Sequence, residues 1–496
     1  MPPLAGRETS APRLVFKNTA WLVAGQLAAA PLSVLVNAVI GRKLGPADLG
    51  YIYLASTLCS FGFLLVDFGQ STALPALIAQ DRGKAGELLG TGLAWRAVTA
   101  IAVSLLLFAA CVALGYDHTQ LLTLALVAFA FGLGTLATGC QDAIRGFERT
   151  DLAAVGQVGS QLLAAALVVP VLLLGFGLTA TLVAQSFAAG IGLLAAILFL
   201  RTIALGDVVP GRKSLDLLLA AGSPFLLLGV SLALQPSVDA VLLARLSPPE
   251  VVGWHAVARK LIGPLLLPAS ALITSMYPTL SRLYTSDREA YFRLGRGALR
   301  SATALAVPLA LGCALYPDLG TRIFSRESFA PAEQNLKVLA AFVFLAYFSM
   351  TLGCCLSAAG RQRAWALSQL ACVAISAALD PFLIPWFQAR LHNGGVGVCV
   401  ATVASEVAMT LAAAIWLAPK GLLDRQFWHS LLAALMGGCA MLAVSWLLAR
   451  VNPFLAAPLS IAAYLVVLWA LGGLDPKQLL ALREGLARRW KGLTRR

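Results

Sequence analysis

Apolar residues in this chain run in blocks of about twenty, separated by short polar connections rich in Gly, Pro, Arg and Lys. Blocks of that length predict membrane-spanning helices. Strands of a membrane barrel would instead alternate apolar and polar positions over about ten residues. Fourteen spans are expected, with limits near 18–40, 50–78, 90–114, 121–140, 152–174, 179–201, 215–245, 252–279, 298–316, 335–358, 364–387, 395–418, 428–449 and 454–474. The least distinct boundaries are GFGLT at 175–179 and NGGVG at 393–397. A hydrophobic fraction of 59%, a charged fraction of 12% and a mean hydropathy of +0.82 agree with this pattern. A soluble domain has no use for so much apolar surface. The fold class expected is therefore an all-α integral membrane protein.

The formal net charge is +14. Its distribution argues for topology and against a nucleic-acid ligand. Of the 37 basic residues, 26 fall in alternate connections: the N-terminus, DRGK, RGFER, GRKS, the 281–300 segment, GRQR, the Pro419 loop and the C-terminal tail. Basic residues concentrate on the cytoplasmic side of multi-pass proteins. Both termini belong to this rich set, which requires an even number of spans and puts both ends in the cytoplasm. The polar, basic N-terminus precedes an apolar span too long for a signal peptide, so it is expected to be retained. The tail at 475–496 carries seven basic residues. An interfacial helix on anionic lipid and a solvated tail both fit it. The nine cysteines lie in or at the ends of apolar runs with no CxxC pair and no Cys/His cluster. They are read as small packing residues, with no disulfide framework or zinc site.

An internal repeat organises the chain. NAVIGRKLGPADLGYIYLA (37–55) aligns with DAVLLARLSPPEVVGWHAVA (239–258), without a gap over the first ten positions at an offset of 202. The first segment joins spans one and two and the second joins spans seven and eight. An offset of six spans leaves both halves in the same orientation, so two parallel six-helix bundles are expected. The domains are then a cytoplasmic N-terminus at 1–17, an N-lobe at 18–210, a C-lobe at 211–420, two further spans at 421–474 and the basic tail. Substrate sites in transporters built from repeats lie near the midplane at the repeat interface.

Four stretches carry a family resemblance: GRKLGPADLGYIYLASTLCSFGFLLVDFGQSTAL near the start, SVDAVLLARLSPPEVVGWHAVARKLIGPLLLPASALITSMYPTLSRL (237–283), YPDLGTRIFSRESFAPAEQNLKVLAA (316–341) and GGVGVCVATVASEVAMT (394–410). In that order, and with this span count, the chain resembles the polysaccharide flippases of the MOP superfamily, the Wzx or PST type. The resemblance implies a V-shaped, two-lobed molecule with a central cavity open alternately to each side. It implies transport of an undecaprenyl-pyrophosphate-linked oligosaccharide across a bacterial inner membrane for O-antigen, capsule or exopolysaccharide. A polysaccharide polymerase and a chain-length regulator are the partners it suggests. No cofactor is implied.

Charged residues inside the spans are the candidate chemistry, because each needs an interior, aqueous or oppositely charged neighbour. In GWHAVARKLIG (253–263), Arg259 and Lys260 lie roughly 12 Å along an apolar helix at ~1.5 Å per residue. Arg259, Arg96 and Lys260 are candidate cavity cations for the anionic headgroup, since a guanidinium fork matches phosphate oxygens. Asp67, Asp239 and Glu406 are candidates for ion coupling. His255, four residues before Arg259 on the same face, is a candidate pH-tuning group. Structural readings stand beside these. Asp67 or Asp239 could pair with Arg96 or Arg259 and only fix packing. Lys260 could reach the headgroup region, and His255 could be a satisfied interfacial residue.

No GxxxxGK[ST] loop, HExxH or GxSxG motif occurs in the chain, so neither ATP-driven transport of the usual kind nor those hydrolytic chemistries are indicated. An ion gradient or the substrate's own gradient is the expected energy source. Three alternatives share part of the pattern: a MATE-type cation or drug antiporter, a peptidoglycan-precursor flippase, and a membrane polysaccharide polymerase or glycosyltransferase. The last would need large external loops with catalytic residues, and the longest outer connection, near 316–335, has no carboxylate pair or His cluster.

Overall fold

The computed structural model describes residues 11–203, 206–325, 327–417, 421–448 and 453–473. The basic tail at 475–496, the start of the N-terminal segment and the Pro419 loop lie outside the described residues. Among the described residues every regular element is helical. In a bilayer a helix satisfies its backbone groups within its own segment, which leaves long apolar runs little alternative.

The first helix, α1 (Ala11–Asp67), has two arms meeting at Gly45, whose φ is 86°. Glycine adopts that conformation without a Cβ penalty. Pro46 then starts the second arm, where its fixed φ suits a first helical turn. The second arm breaks again at Phe68 and Gly69, both with positive φ, and resumes as α2 (Gln70–Gln80). There follow α3 (Ala85–Ala113), α4 (His118–Gly146), α5 (Thr150–Leu173), α6 (Leu178–Leu200), α7 (Arg212–Leu246) and α8 (Pro249–Ser286). The chain continues through α9 (Arg288–Leu315), the short α10 (Pro317–Phe324), α11 (Ala332–Ala358), α12 (Gln362–Leu391), α13 (Gly394–Ala412), α14 (Arg425–Leu448) and α15 (Pro453–Ala470). Asp117 starts α4 with a reciprocal capping box to Gln120, and Asp287 caps α9 through the Ala290 N–H. Such caps satisfy donors that the first turn leaves open.

Twelve helices among the described residues are long and apolar enough to cross a membrane. The first of these, Pro31–Gln80, contains two arms around Gly45, and the shorter apolar helix Leu455–Ala470 follows the last. Together they account for the fourteen expected spans. Several limits change: α8 runs to Ser286 rather than 279, α9 begins at Arg288 rather than 298, and α4 extends to Gly146 rather than ending near 140. Asp142 and Arg145 are therefore helical residues, not parts of a connection.

Contacts divide the chain into two compact units. The first comprises Met1–Lys260, Arg322–Ala330 and Asp380–Gly397; the second comprises Leu261–Thr321, Pro331–Leu379 and Val398–Arg496. The boundaries thus cut through α8 and α12. The lobes at 18–210 and 211–420 come from the sequence repeat and stand as a separate proposal. Within the first unit α4 packs on α3, α5 and α6, and α1 on α3, α5 and α7. Its core includes Leu74, Ile78, Leu88, Cys140, Ile144 and Leu218. Within the second unit α9 packs against α11 and α14, and α14 against α15. There the Tyr464 hydroxyl donates to the Ala304 carbonyl at 2.9 Å. Large apolar side chains also point outward: Leu227 is 70% exposed, Phe382 76% and Trp446 71%. A water-soluble surface would not carry so many, whereas lipid tails solvate them.

Candidate functional site

The second arm of α1 presents Tyr53, Ser56, Thr57 and Ser60 at helical spacings of three and four, hence on one face. Ala233, Pro236 and Ser237 of α7 follow the same spacing. Both faces line a cavity of about 400 Å³ inside the first unit, and Arg259 and Lys260 of α8 complete its wall. Its chemistry is one of hydroxyls and cations. Adjacent helical residues diverge by about 100°, yet the cavity is broad enough to take both basic side chains, each of them half-buried. The Tyr53 hydroxyl contacts both Thr57 and Arg259. Ser56 and Ser237 bracket the space from opposite helices, and the Ser237 hydroxyl donates to the Ala233 carbonyl at 2.8 Å. A guanidinium and an ammonium beside hydroxyl groups form a receptor for an oxyanion attached to a polar group.

His255 is 2% exposed and stands behind this wall. Its ring meets Tyr53 edge-on, with centroids 6.0 Å apart, and it hydrogen-bonds the Gly395 backbone. It braces Tyr53 rather than lining the cavity.

Arg96 has a different setting from Arg259. Its guanidinium is fully buried and reaches Asp67 at 2.7 Å, Asp142 at 3.0 Å and the Thr135 carbonyl at 3.0 Å. Asp67 also accepts from the Ser71 hydroxyl at 2.6 Å, and Asp142 pairs with Arg145. Gly139 leaves the room that the guanidinium occupies: a methyl there would meet Arg96 Nη1 at 2.6 Å. Two arginines and two aspartates make a network with no net charge. Arg96 is thus held by acids and is absent from the cavity wall, and Asp67 belongs to the same network.

Asp239 of α7 is 3% exposed and forms a buried carboxyl pair with Asp380 of α12, both inside the first unit. Glu406 of α13 lies in the second unit, 7% exposed, and accepts a hydrogen bond from Ser349 of α11. The structure therefore brings Arg259 and Lys260 together at one cavity, pairs Asp67 with Arg96, and sets Glu406 among other partners. Two buried acids, Asp380 and Asp142, stand outside the sequence-based candidates. Asp380 is an acid inside the apolar run ISAALDPFLIP, which marks it in the sequence by the same criterion as Asp239 and Glu406. Asp142 was hidden by the short limit assigned to the fourth span.

Residues 15–284 match the family described as "Polysaccharide biosynthesis protein". No curated protein matches the chain. Among solved structures, the lipid II flippase MurJ in an inward closed conformation superposes with a TM-score of 0.72 at 12% identity, covering 92% of this chain and 99% of that one. An inward-facing multidrug MATE transporter of the MOP superfamily gives 0.65 at 16% identity, covering 78% and 94%. A MOP-superfamily transporter from Pyrococcus furiosus gives 0.56 at 15% identity, covering 83% and 98%. At these identities the likeness is one of fold.

Proposed function

The chain belongs to the polysaccharide biosynthesis protein family and has the MOP fold, and from that premise we propose that it is a flippase for a lipid-linked oligosaccharide. The cargo is an undecaprenyl-pyrophosphate-linked repeat unit, carried from the cytoplasmic to the outer leaflet of a bacterial inner membrane. The observation that carries the reading is the pairing of Arg259 and Lys260 with a hydroxyl-lined face in one cavity. A pyrophosphate brings at least two negative charges and a sugar brings hydroxyls, so the cavity offers matched partners for both. The prenyl chain needs no pocket of its own, because it can remain in the bilayer while the headgroup crosses.

In this reading the basic-rich connections face the cytoplasm, and the Arg96 network serves the fold. Two carboxyls in contact and out of water repel when both are charged, so the Asp239–Asp380 pair is where a proton or another small cation is held and coupled to movement. A polymerase and a chain-length regulator would take the product on the outer face.

The test uses a strain lacking the protein. Its lipid-linked oligosaccharides are extracted, and their leaflet is found with a membrane-impermeant sugar-modifying enzyme added from outside. A complete unit that accumulates and stays protected supports the reading, and its sugars name the pathway. Complete units that remain accessible outside would overturn it. The full-length likeness to the lipid II flippase keeps a peptidoglycan precursor as a second cargo, which the same extraction identifies directly.

A further inference from the structure

The repeat seen in the sequence meets itself in the structure. Pro249 and Gly253 follow Pro46 and Gly50 by the same 203 positions, one more than the 202 of the nine residues before Pro46 because of the second proline at 248–249. Each proline opens a helical arm, and each glycine sits one turn later on the same face. The two first turns cross reciprocally: a methyl on Gly50 would overlap the Pro249 carbonyl, and a methyl on Gly253 would overlap the Pro46 carbonyl. Absent side chains let the two backbones touch, as small residues do at membrane helix crossings.

A strap lies over this crossing. Trp254 Nε1 donates to the Ser328 carbonyl at 2.9 Å, and Arg42 donates to the carbonyls of Phe324 at 3.1 Å and Arg322 at 3.0 Å. Phe324 and Phe329 are fully buried, their rings tilted against each other with centroids 5.9 Å apart, and seated against Gly41. All of these residues belong to the first unit. The same helices lead straight to the cavity. Tyr53 follows Gly50 by three residues, and Arg259 follows Gly253 by six. His255 between them is fixed to the Gly395 backbone.

We propose that the reciprocal Pro46–Gly50 and Pro249–Gly253 crossing, strapped by residues 322–325 and 327–330, is the outer gate of the cavity, and that Gly253–Lys260 is a rigid lever joining gate to cargo site. Helical hydrogen bonds make that segment move as a piece, so Gly253 cannot leave Pro46 without carrying Arg259 away from Tyr53. Opening outward and loosening the grip on an anionic headgroup are then one motion. The designation "outer" rests on the orientation proposed above.

The gate can be tested without any cargo. A Ser237→Cys reporter in the cavity is treated with a membrane-impermeant thiol reagent from the outer face, and labelling is taken as the difference from protein without the reporter. Gly253→Ala and Gly50→Ala disfavour the closed crossing, so each should raise the outer labelling rate tenfold or more. Gly263→Ala, on the same helix with nothing within 4 Å of the new methyl, should label as the parent does. Trp254→Phe, which loses the bond to Ser328 and part of the ring, should give a smaller rise and serves if a glycine variant does not fold. Folded variants that label at the parent's rate would overturn the gate, as would a rise with Gly263→Ala of equal size. If gating behaves as stated while the strain lacking the protein keeps its lipid-linked units accessible outside, the flippase reading fails and the gate stands. Normal flipping with unchanged labelling gives the reverse.

Discussion

Arg96 and Arg259 both lie inside apolar helices of the first unit, yet their surroundings give them opposite tasks. Arg259 lines the cavity and meets the Tyr53 hydroxyl there. A charge-assisted hydrogen bond contributes about 1.5–3 kcal/mol, so Arg259→Ala should slow flipping roughly ten- to a hundredfold at normal protein level. Lys keeps the charge but loses the planar fork, so Arg259→Lys should fall between the two. Both are read as outward movement of the lipid-linked unit in membrane vesicles. Arg96→Gln should instead leave Asp67 without a cation and buried Asp142 with Arg145 alone, which destabilises by up to about 3–5 kcal/mol. The expected result is a lower melting temperature in detergent and poor recovery of monodisperse protein. Combining Arg96→Gln with Asp142→Asn should recover part of that loss, since residues in one network are not additive. The sequence could rank neither arginine above the other. Hydropathy reports depth along a helix but not which neighbouring helix supplies an acid, and a span limit near 140 leaves Asp142 in a connection.

At the level of elements, the spans were legible because length and apolarity suffice to define them, although the second arm starts at Pro46, ahead of the limit expected near 50. The interior breaks were not. Phe68 and Gly69 look like any apolar pair in LLVDFGQST, and the reason for the break lies in a distant helix. A methyl on Gly222 of α7 would overlap the Phe68 carbonyl, and one on Gly69 would overlap the Gly222 carbonyl. Backbone atoms cannot rotate aside as a side chain can. Gly222→Ala should therefore cost about 1–3 kcal/mol, in the range of other overpacked sites, and lower the melting temperature in detergent. Gly263→Ala, in open space on α8, should leave it unchanged or raise it slightly, because alanine loses less backbone freedom in a helix. Equal behaviour of the two variants would mean that the crossing yields without strain.

For the whole molecule, the question is what makes movement one-way. A cavity with Arg259 and Lys260 explains attraction of an anion but not its net export, because the same attraction resists release. A second charged site of opposite sign resolves this when its occupancy alters which face is open. The buried Asp239–Asp380 pair has the required sign, joins α7 to α12, and shares α7 with the cavity wall. Uptake of a cation there would relax the repulsion and let the two helices approach, and release would part them, so an ion gradient would bias the cycle. Amide replacement removes the charge while nearly keeping the shape. Asp380→Asn and Asp239→Asn should each leave downhill flipping in vesicles within about threefold of the parent, on the ~0.65 kcal/mol scale of a neutral contact. They should also abolish the acceleration produced by an imposed proton or sodium gradient. Running the two gradients separately identifies the ion. A variant that still responds fully to both would remove the pair from coupling and turn attention to Glu406 and its Ser349 partner in the second unit.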